Sequence, residues 1–182
     1  MRISVVGTSG AGKTTLARRV ATAIDLPCIE LDAINWQPGW RALNIDDLGE
    51  FRRRVDEAIA AEHWVCDGNY GSDVGDRVWR RATHIVWLDY GRSVIMPRVI
   101  GRSLMRALQG RELWPGTGNR ETFRRWLDRG HPIRWAWDTW ARRRTRYEGL
   151  IADVDAAHLS VFRLRHPGET TALIKRLRAE RL

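Results

Sequence analysis

The sequence predicts an α/β fold with a parallel sheet, on three observations. Short β-prone runs alternate with segments of helical periodicity through the 182 residues. The runs are nearly continuously apolar, His84-Ile85-Val86-Trp87-Leu88 being the clearest, as suits strands covered on both faces. Three of them lead into aspartates, Asp32, Asp67 and Asp89, which would gather at the carboxyl edge where such sheets hold ligands. At this length, residues 1–182 form one domain able to bury a substantial core.

The first strand is Ile3-Ser4-Val5-Val6. It enters Gly7-Thr8-Ser9-Gly10-Ala11-Gly12-Lys13-Thr14, which fits Gly-x-x-x-x-Gly-Lys-[Ser/Thr], the phosphate-binding P-loop pattern. Leu16, Val20 and Ile24 then recur every four residues, one face of a helix. Strand, glycine loop and helix are the context this pattern needs. The glycines let backbone N–H groups turn inward around an anion, and the helix N-terminus adds partial positive charge. Gly7 through Thr14, with Thr15 after them, are therefore the candidate nucleotide-binding residues. Lys13 would reach the β- and γ-phosphates, and the Thr14 hydroxyl would ligate Mg²⁺. Of 31 basic residues only Lys13 and Lys175 are lysines, so a chain that otherwise uses arginine keeps a lysine in this loop.

Cys28-Ile29-Glu30-Leu31 reads as the second strand, ending at Asp32. That carboxylate is placed to hold a substrate hydroxyl or take its proton, or else to cap a turn. Trp36 and Trp40 flank Pro38-Gly39 and would stack on a ring or pack a loop. Residues 46–62 read as an amphipathic helix with Leu48, Phe51, Val55 and Ile59 on one face and Asp46 or Asp47 near its start. Trp64-Val65-Cys66 is the third strand. It ends in Asp67-Gly68-Asn69-Tyr70, where Asp67 suits Mg²⁺ and the other three suit substrate contact; a plain turn is the alternative. Arg77, a further substrate-contact candidate, lies on a short helix that follows. After the fourth strand, Asp89 is a third acid at the ligand edge, Ser93 is the expected helix cap, and Pro97 lies in the tolerant first turn.

The next helix carries Arg98, Arg102 and Arg106 at i, i+4 and i+8. Like charges at this spacing repel without an anion between them. Residues 109–119 form the clearest loop, and helices are expected over 120–129 and 132–148. Trp126, Trp135, Trp137 and Trp140 would pack this segment on the body. Residues 98–146 hold 13 arginines, no lysine and four acids, an excess equal to the whole chain's net charge of +9. Such a segment suits a lid over polyphosphate or a nucleic-acid surface. Leu159-Ser160-Val161-Phe162-Arg163-Leu164 is the last strand. The following turn at His166-Pro167-Gly168 is the expected adenine contact, with Pro167 its candidate residue, and Leu173, Ile174 and Leu177 face inward on the closing helix.

No run of 18 apolar residues marks a membrane span, and the short apolar run that leads directly into the P-loop is not expected to act as a secretory leader. Cys28 and Cys66 lie in strands without metal-ligand spacing, as buried thiols of a cytoplasmic protein would. The five histidines are scattered.

On these motifs, Gly7 to Thr14, Leu31-Asp32 with Trp36 and Pro38-Gly39-Trp40, Asp67-Gly68-Asn69-Tyr70, and Leu88-Asp89 before an Arg-rich helix, the chain resembles the adenylate-kinase-like branch of P-loop NTPases. More narrowly it is similar to bacterial topology modulation proteins. The resemblance implies a three-layer α/β/α sandwich around a five-stranded parallel sheet in the order 2-3-1-4-5, with an Arg-rich helical lid, residues 98–146, whose arginines clamp phosphates. Nucleoside monophosphate kinases carry Asp-Gly-Phe-Pro-Arg where this chain has Asp67-Gly68-Asn69-Tyr70-Gly71, which sets it apart from enzymes that phosphorylate AMP.

The expected function is an ATP-dependent kinase using Mg²⁺, monomeric or dimeric, acting on a nucleotide or other small acceptor. Lys13, Asp32, Arg98, Arg102 and Arg106 are its catalytic candidates. Trp36, Trp40, Asp67, Gly68, Asn69, Tyr70 and Arg77 are its substrate contacts, and Thr14 with Asp67 its metal site. The absence of an Asn-Lys-x-Asp run favours ATP over GTP. The rival readings are a nucleotide-dependent DNA- or RNA-binding regulator, as the topology label suggests, and a slow ATPase switch. A kinase requires the arginines to converge on the P-loop; a nucleic-acid binder requires them spread outward over one face.

Overall fold

Five strands, β1 (Arg2–Gly7), β2 (Cys28–Glu30), β3 (Trp64–Asp67), β4 (His84–Leu88) and β5 (Ser160–Leu164), pair in the order β2-β3-β1-β4-β5. Every pairing is parallel, so all carboxyl ends lie along one edge, and the order is the one the resemblance implies. The computed structural model describes residues 1–70, 72–128, 130–153 and 159–181.

Eight α-helices are described: α1 (Lys13–Ile24), α2 (Leu31–Asn35), α3 (Leu43–Asp46), α4 (Leu48–Ala58), α5 (Ser72–Arg81), α6 (Arg92–Gln109), α7 (Pro132–Asp153) and α8 (Thr170–Arg181). The sheet has a core on each side because β1 and its neighbours are apolar at successive positions. Ile3 and Val5 pack with Leu16, Val20, Leu173 and Leu177, under α1 and α8. Val6 joins Phe51, Val55, Val74 and Val78, under α4 and α5. This gives the three expected layers.

Several boundaries differ from expectation. The second strand stops at Glu30, and Leu31 opens the short helix α2, so Asp32 sits in a first helical turn. The expected helix over 46–62 is the shorter α4, Leu48–Ala58, preceded by the separate short helix α3. The break falls at Asp47, which leaves helical geometry to cap α4, its side chain accepting from the Glu50 N–H at 3.0 Å. Helix α6 begins at Arg92 with Gly91, not Ser93, at its N-cap, which moves Pro97 into the helix interior and leaves the Ser93 carbonyl without its helical donor. The helix expected over 120–129 is a 3₁₀ turn, Phe123–Leu127, and α7 runs on past residue 148.

Helix α7 is tied firmly to the body. The Trp140 indole donates to the Tyr90 carbonyl at 3.0 Å, and the Arg92 guanidinium lies over the Trp137 and Trp140 rings. Trp135 and Trp137 themselves remain exposed, so of the expected packing residues Trp140 does most of the anchoring. Asp89 is buried and taken up structurally rather than facing a ligand. It accepts from Arg163 at 2.6 and 2.9 Å and pairs with Arg144 of α7 at 3.4 Å. Arg163 also reaches Glu148 at 2.7 Å and stacks 4.3 Å from the Trp87 ring centroid. Removing Arg163 would leave the Asp89 carboxylate short of its best donor. We expect Arg163→Ala to cost about 2 kcal/mol, read as a lowered urea midpoint with unchanged slope. A stability loss under about 0.5 kcal/mol would refute that role.

Candidate active site

The P-loop begins where β1 ends. Gly7 has φ +148°, and a Cβ there would stand 2.8 Å from the Leu88 carbonyl oxygen, so only glycine lets β1 pass this close to β4 and turn. Gly12 is left-handed at the N-cap of α1, which aims the helix N-terminus into the loop. The loop and α1 form one wall of a cleft of about 810 Å³. Asp32, Trp36 and Trp40 border it, as do Tyr90, Pro167 and Thr170. Arg98, Arg102 and Arg106 of α6 border it too, so the arginine stripe turns inward.

Among the described residues, none of Lys13, Arg98, Arg102 and Arg106 forms an ion pair with a carboxylate. Lys13 has only the Thr8 carbonyl at 3.4 Å, and Arg102 only the Ser9 hydroxyl at 3.2 Å. The Arg102 Nε is buried without a partner. Burial lowers the pKa of Lys13, against the pull of Asp67 and Asp32; burial and then Arg106 lower that of Arg102. A cleft that brings four cations to the P-loop with none of them held in an ion pair suits a polyanion.

Each residue of Asp67-Gly68-Asn69-Tyr70 has a distinct task. The Thr14 hydroxyl donates to Asp67 Oδ2, and Asp67 Oδ1 is buried without a partner. Burial raises the Asp67 pKa, while Lys13 and the Thr14 bond oppose the rise. A hydroxyl beside an unsatisfied carboxylate oxygen, next to the phosphate loop, fits Mg²⁺. Gly68 abuts Leu31. Asn69 accepts from the Gly7 N–H at 3.3 Å, donates to the Gly7 carbonyl, and accepts from the Tyr147 hydroxyl at 2.7 Å. It is thus a brace for the P-loop and does not line the cleft. Tyr70 donates to Asp32 at 2.5 Å and packs edge-on against Phe51, so it orients Asp32 rather than bordering the cleft itself. Arg77 is turned away altogether, paired with Asp56 at 2.5 Å.

Pro167, Thr170 and Tyr90 line the cleft as well, and the Tyr90 ring centroid is 5.8 Å from the Arg98 guanidinium. Sequence reasoning missed four groups. Trp114 borders the cleft and packs with Trp36 and Trp40. Asn119 ties its loop to theirs. Glu121 and His131, bonded at 3.0 Å and both buried, also line the cleft. Arg143 of α7 is a burial-depressed cation near enough to lower the pKa of Lys13. A signal for Trp114 existed: Trp114-Pro115-Gly116 repeats the tryptophan and Pro-Gly pairing of residues 36–40.

The strand order, with the phosphate loop at the end of the central strand and helices on both faces, defines a P-loop kinase fold. No protein-family model matches the sequence, and no curated protein matches it. Among solved structures, the chain is similar to shikimate kinase from Bacteroides thetaiotaomicron, at TM-score 0.55 and 20% identity over 99% of this chain and 97% of that one. A gluconokinase from Sinorhizobium meliloti 1021 aligns at TM-score 0.50 and 19% identity over 98% and 93% of the two chains. A sugar kinase from Janibacter sp. HTCC2649 aligns at TM-score 0.51 and 22% identity over 96% and 90%. No helix among the described residues is long and apolar enough to cross a membrane.

Proposed function

We propose that the protein is an ATP-dependent phosphotransferase that acts on a small hydroxylated acceptor. The observation that carries this reading is the convergence of Lys13, Arg98, Arg102 and Arg106, without carboxylate partners, on one cleft with the P-loop. Phosphoryl transfer needs little covalent help from a protein, only positioning and fixed positive charge. Lys13 and the loop N–H groups hold the β- and γ-phosphates. Arg102 and Arg106 neutralise the transferring group, while Arg98, Tyr90 and Pro167 hold the base. Asp32, fixed by Tyr70, receives the acceptor hydroxyl and its proton. Thr14 and Asp67 would hold Mg²⁺, which would supply charge neutralisation when bound. The aligned kinases lend support through their shared fold.

The second reading, a nucleotide-dependent nucleic-acid binder of the topology modulation kind, draws on arginines that do face outward: Arg120, Arg124, Arg142 and Arg146 are exposed. It requires affinity for DNA or RNA that falls steeply with salt. One assay separates the two. ADP formation from Mg·ATP is measured alone, with small hydroxylated acceptors, and with DNA or RNA. Stimulation by one acceptor that itself becomes phosphorylated is expected. Stimulation by nucleic acid alone would overturn the kinase reading.

A further inference from the structure

We propose that the acceptor subsite is a composite of two loops and selects an uncharged ring polyol, with Trp114 and Asn119 as specificity residues; the inference rests on the phosphotransferase reading. Trp36 and Trp114 stack at 5.7 Å and 20°, and Trp40 stands edge-on to both, at 5.6 Å and 79° and at 6.1 Å and 86°. All three border the cleft on which Asp32 and Arg106 also open. Trp114 reaches this cluster from the loop after α6, some 75 residues further along the chain than Trp40.

The two loops are stitched together by a buried polar side chain. Asn119 is only 2% exposed; its Oδ1 accepts from the Trp40 N–H at 2.9 Å, and its Nδ2 donates to the Gln37 carbonyl at 2.9 Å. Trp40 is held at φ +63°, a backbone region that a bulky residue adopts only when its surroundings impose it. Asn119 is part of that imposition. The alternative, three tryptophans serving only to fill a loop, does not account for a strained backbone secured from a distant loop at the rim of the cleft.

The geometry limits the ligand. The three indoles pack on one another and leave no slot between parallel rings. A base inserted between two of them would need roughly 7 Å, twice an ordinary van der Waals spacing. What remains is one apolar wall facing a carboxylate. A saturated ring with its C–H face on the indoles and its hydroxyls toward Asp32 satisfies both sides. Glu30 is taken up by Arg18 at 2.5 Å, whereas Asp32 has no ion-pair partner among the described residues, so a negative charge on the acceptor would meet the Asp32 carboxylate.

The test measures ADP formation from Mg·ATP by the full chain with myo-inositol, D-glucose and D-ribose, with adenosine and thymidine, and with AMP and gluconate. At least one neutral ring polyol is expected to stimulate turnover and to be recovered as its phosphate ester. Trp114→Ala should raise the KM for that polyol about tenfold, with a much smaller change in the KM for ATP. Trp114→Phe, which keeps an aromatic wall, should recover most of the loss and guards against a folding defect in the alanine variant. Asn119→Ala should act in the same direction as Trp114→Ala. Preference for a nucleoside, AMP or gluconate, a polyol KM indifferent to Trp114→Ala, or no stimulation by any polyol would overturn the inference. Turnover that still depends on Lys13 would then leave the phosphotransferase reading standing, whereas failure to bind Mg·ATP would end that reading itself.

Discussion

Replacing Lys13 with alanine is expected to lower the rate of phosphoryl transfer by about 10³-fold, the scale on which fixed charges at phosphoryl centres act. Among the described residues the side chain has no carboxylate partner and only a weak contact with the Thr8 carbonyl, so its charge is not spent on holding the fold. Its position in the loop after Gly12 aims it where the β- and γ-phosphates would lie. Charge on those oxygens redistributes in the transition state, and an ammonium already in place needs no reorganisation to meet it. ATP affinity should fall less than the rate, because the loop N–H groups and the α1 N-terminus remain. Single-turnover kinetics beside equilibrium ATP binding separates the two effects. A rate within tenfold of wild type would show that Lys13 holds no reacting phosphate.

Gly68→Ala is expected to destabilise the protein by about 3–5 kcal/mol, enough to leave little folded material at 37 °C. The new Cβ would stand 2.6 Å from Leu31 Cβ, with two further Leu31 carbons within 2.9 Å, on a backbone at φ +153°. Leu31 is 1% exposed and packs with Phe51 and Val55, so it has nowhere to go. The effect should spread to the site, because Gly68 lies between the metal candidate Asp67 and the brace Asn69. Chemical denaturation measures it, and a loss below about 1 kcal/mol would mean that the start of α2 and the loop after β3 can separate freely.

The parts of this molecule visible in its sequence are those whose determinants are local. The P-loop announces itself because glycine geometry, helix start and lysine are contiguous. The apolar strands and the acids after them follow from chain order and burial alone, and the arginine stripe follows from helical spacing. What a residue meets across the fold was not visible in the same way. Asn69 has the composition of a turn or contact residue, yet its amide spans 62 positions to clasp Gly7. Tyr70 serves Asp32 from 38 positions away, and Arg77 is claimed by Asp56 of α4. Asp89 has the same chain position as the other two acids, but Arg163 and Arg144 converge on it from β5 and α7. The helix boundaries went astray for a related reason: Gly91 and Asp47 cap where tertiary packing lets the chain turn, and propensity alone does not distinguish them from Ser93 or Asp46.

The ties of α7 divide the molecule in a way that matters for how it can diverge. Through Trp140, Arg144 and Tyr147 this helix is bonded to Tyr90, Asp89 and, by way of Asn69, to Gly7. It behaves as part of the frame around the P-loop although it follows the loop that carries Trp114. Changes between residues 110 and 119 can therefore accumulate without disturbing the frame, so long as α6 and α7 keep their places. In a lineage of such proteins, the P-loop end would drift slowly while the tryptophan loop is rewritten, so the rim of the cleft could change at a segment whose loss leaves the P-loop frame intact.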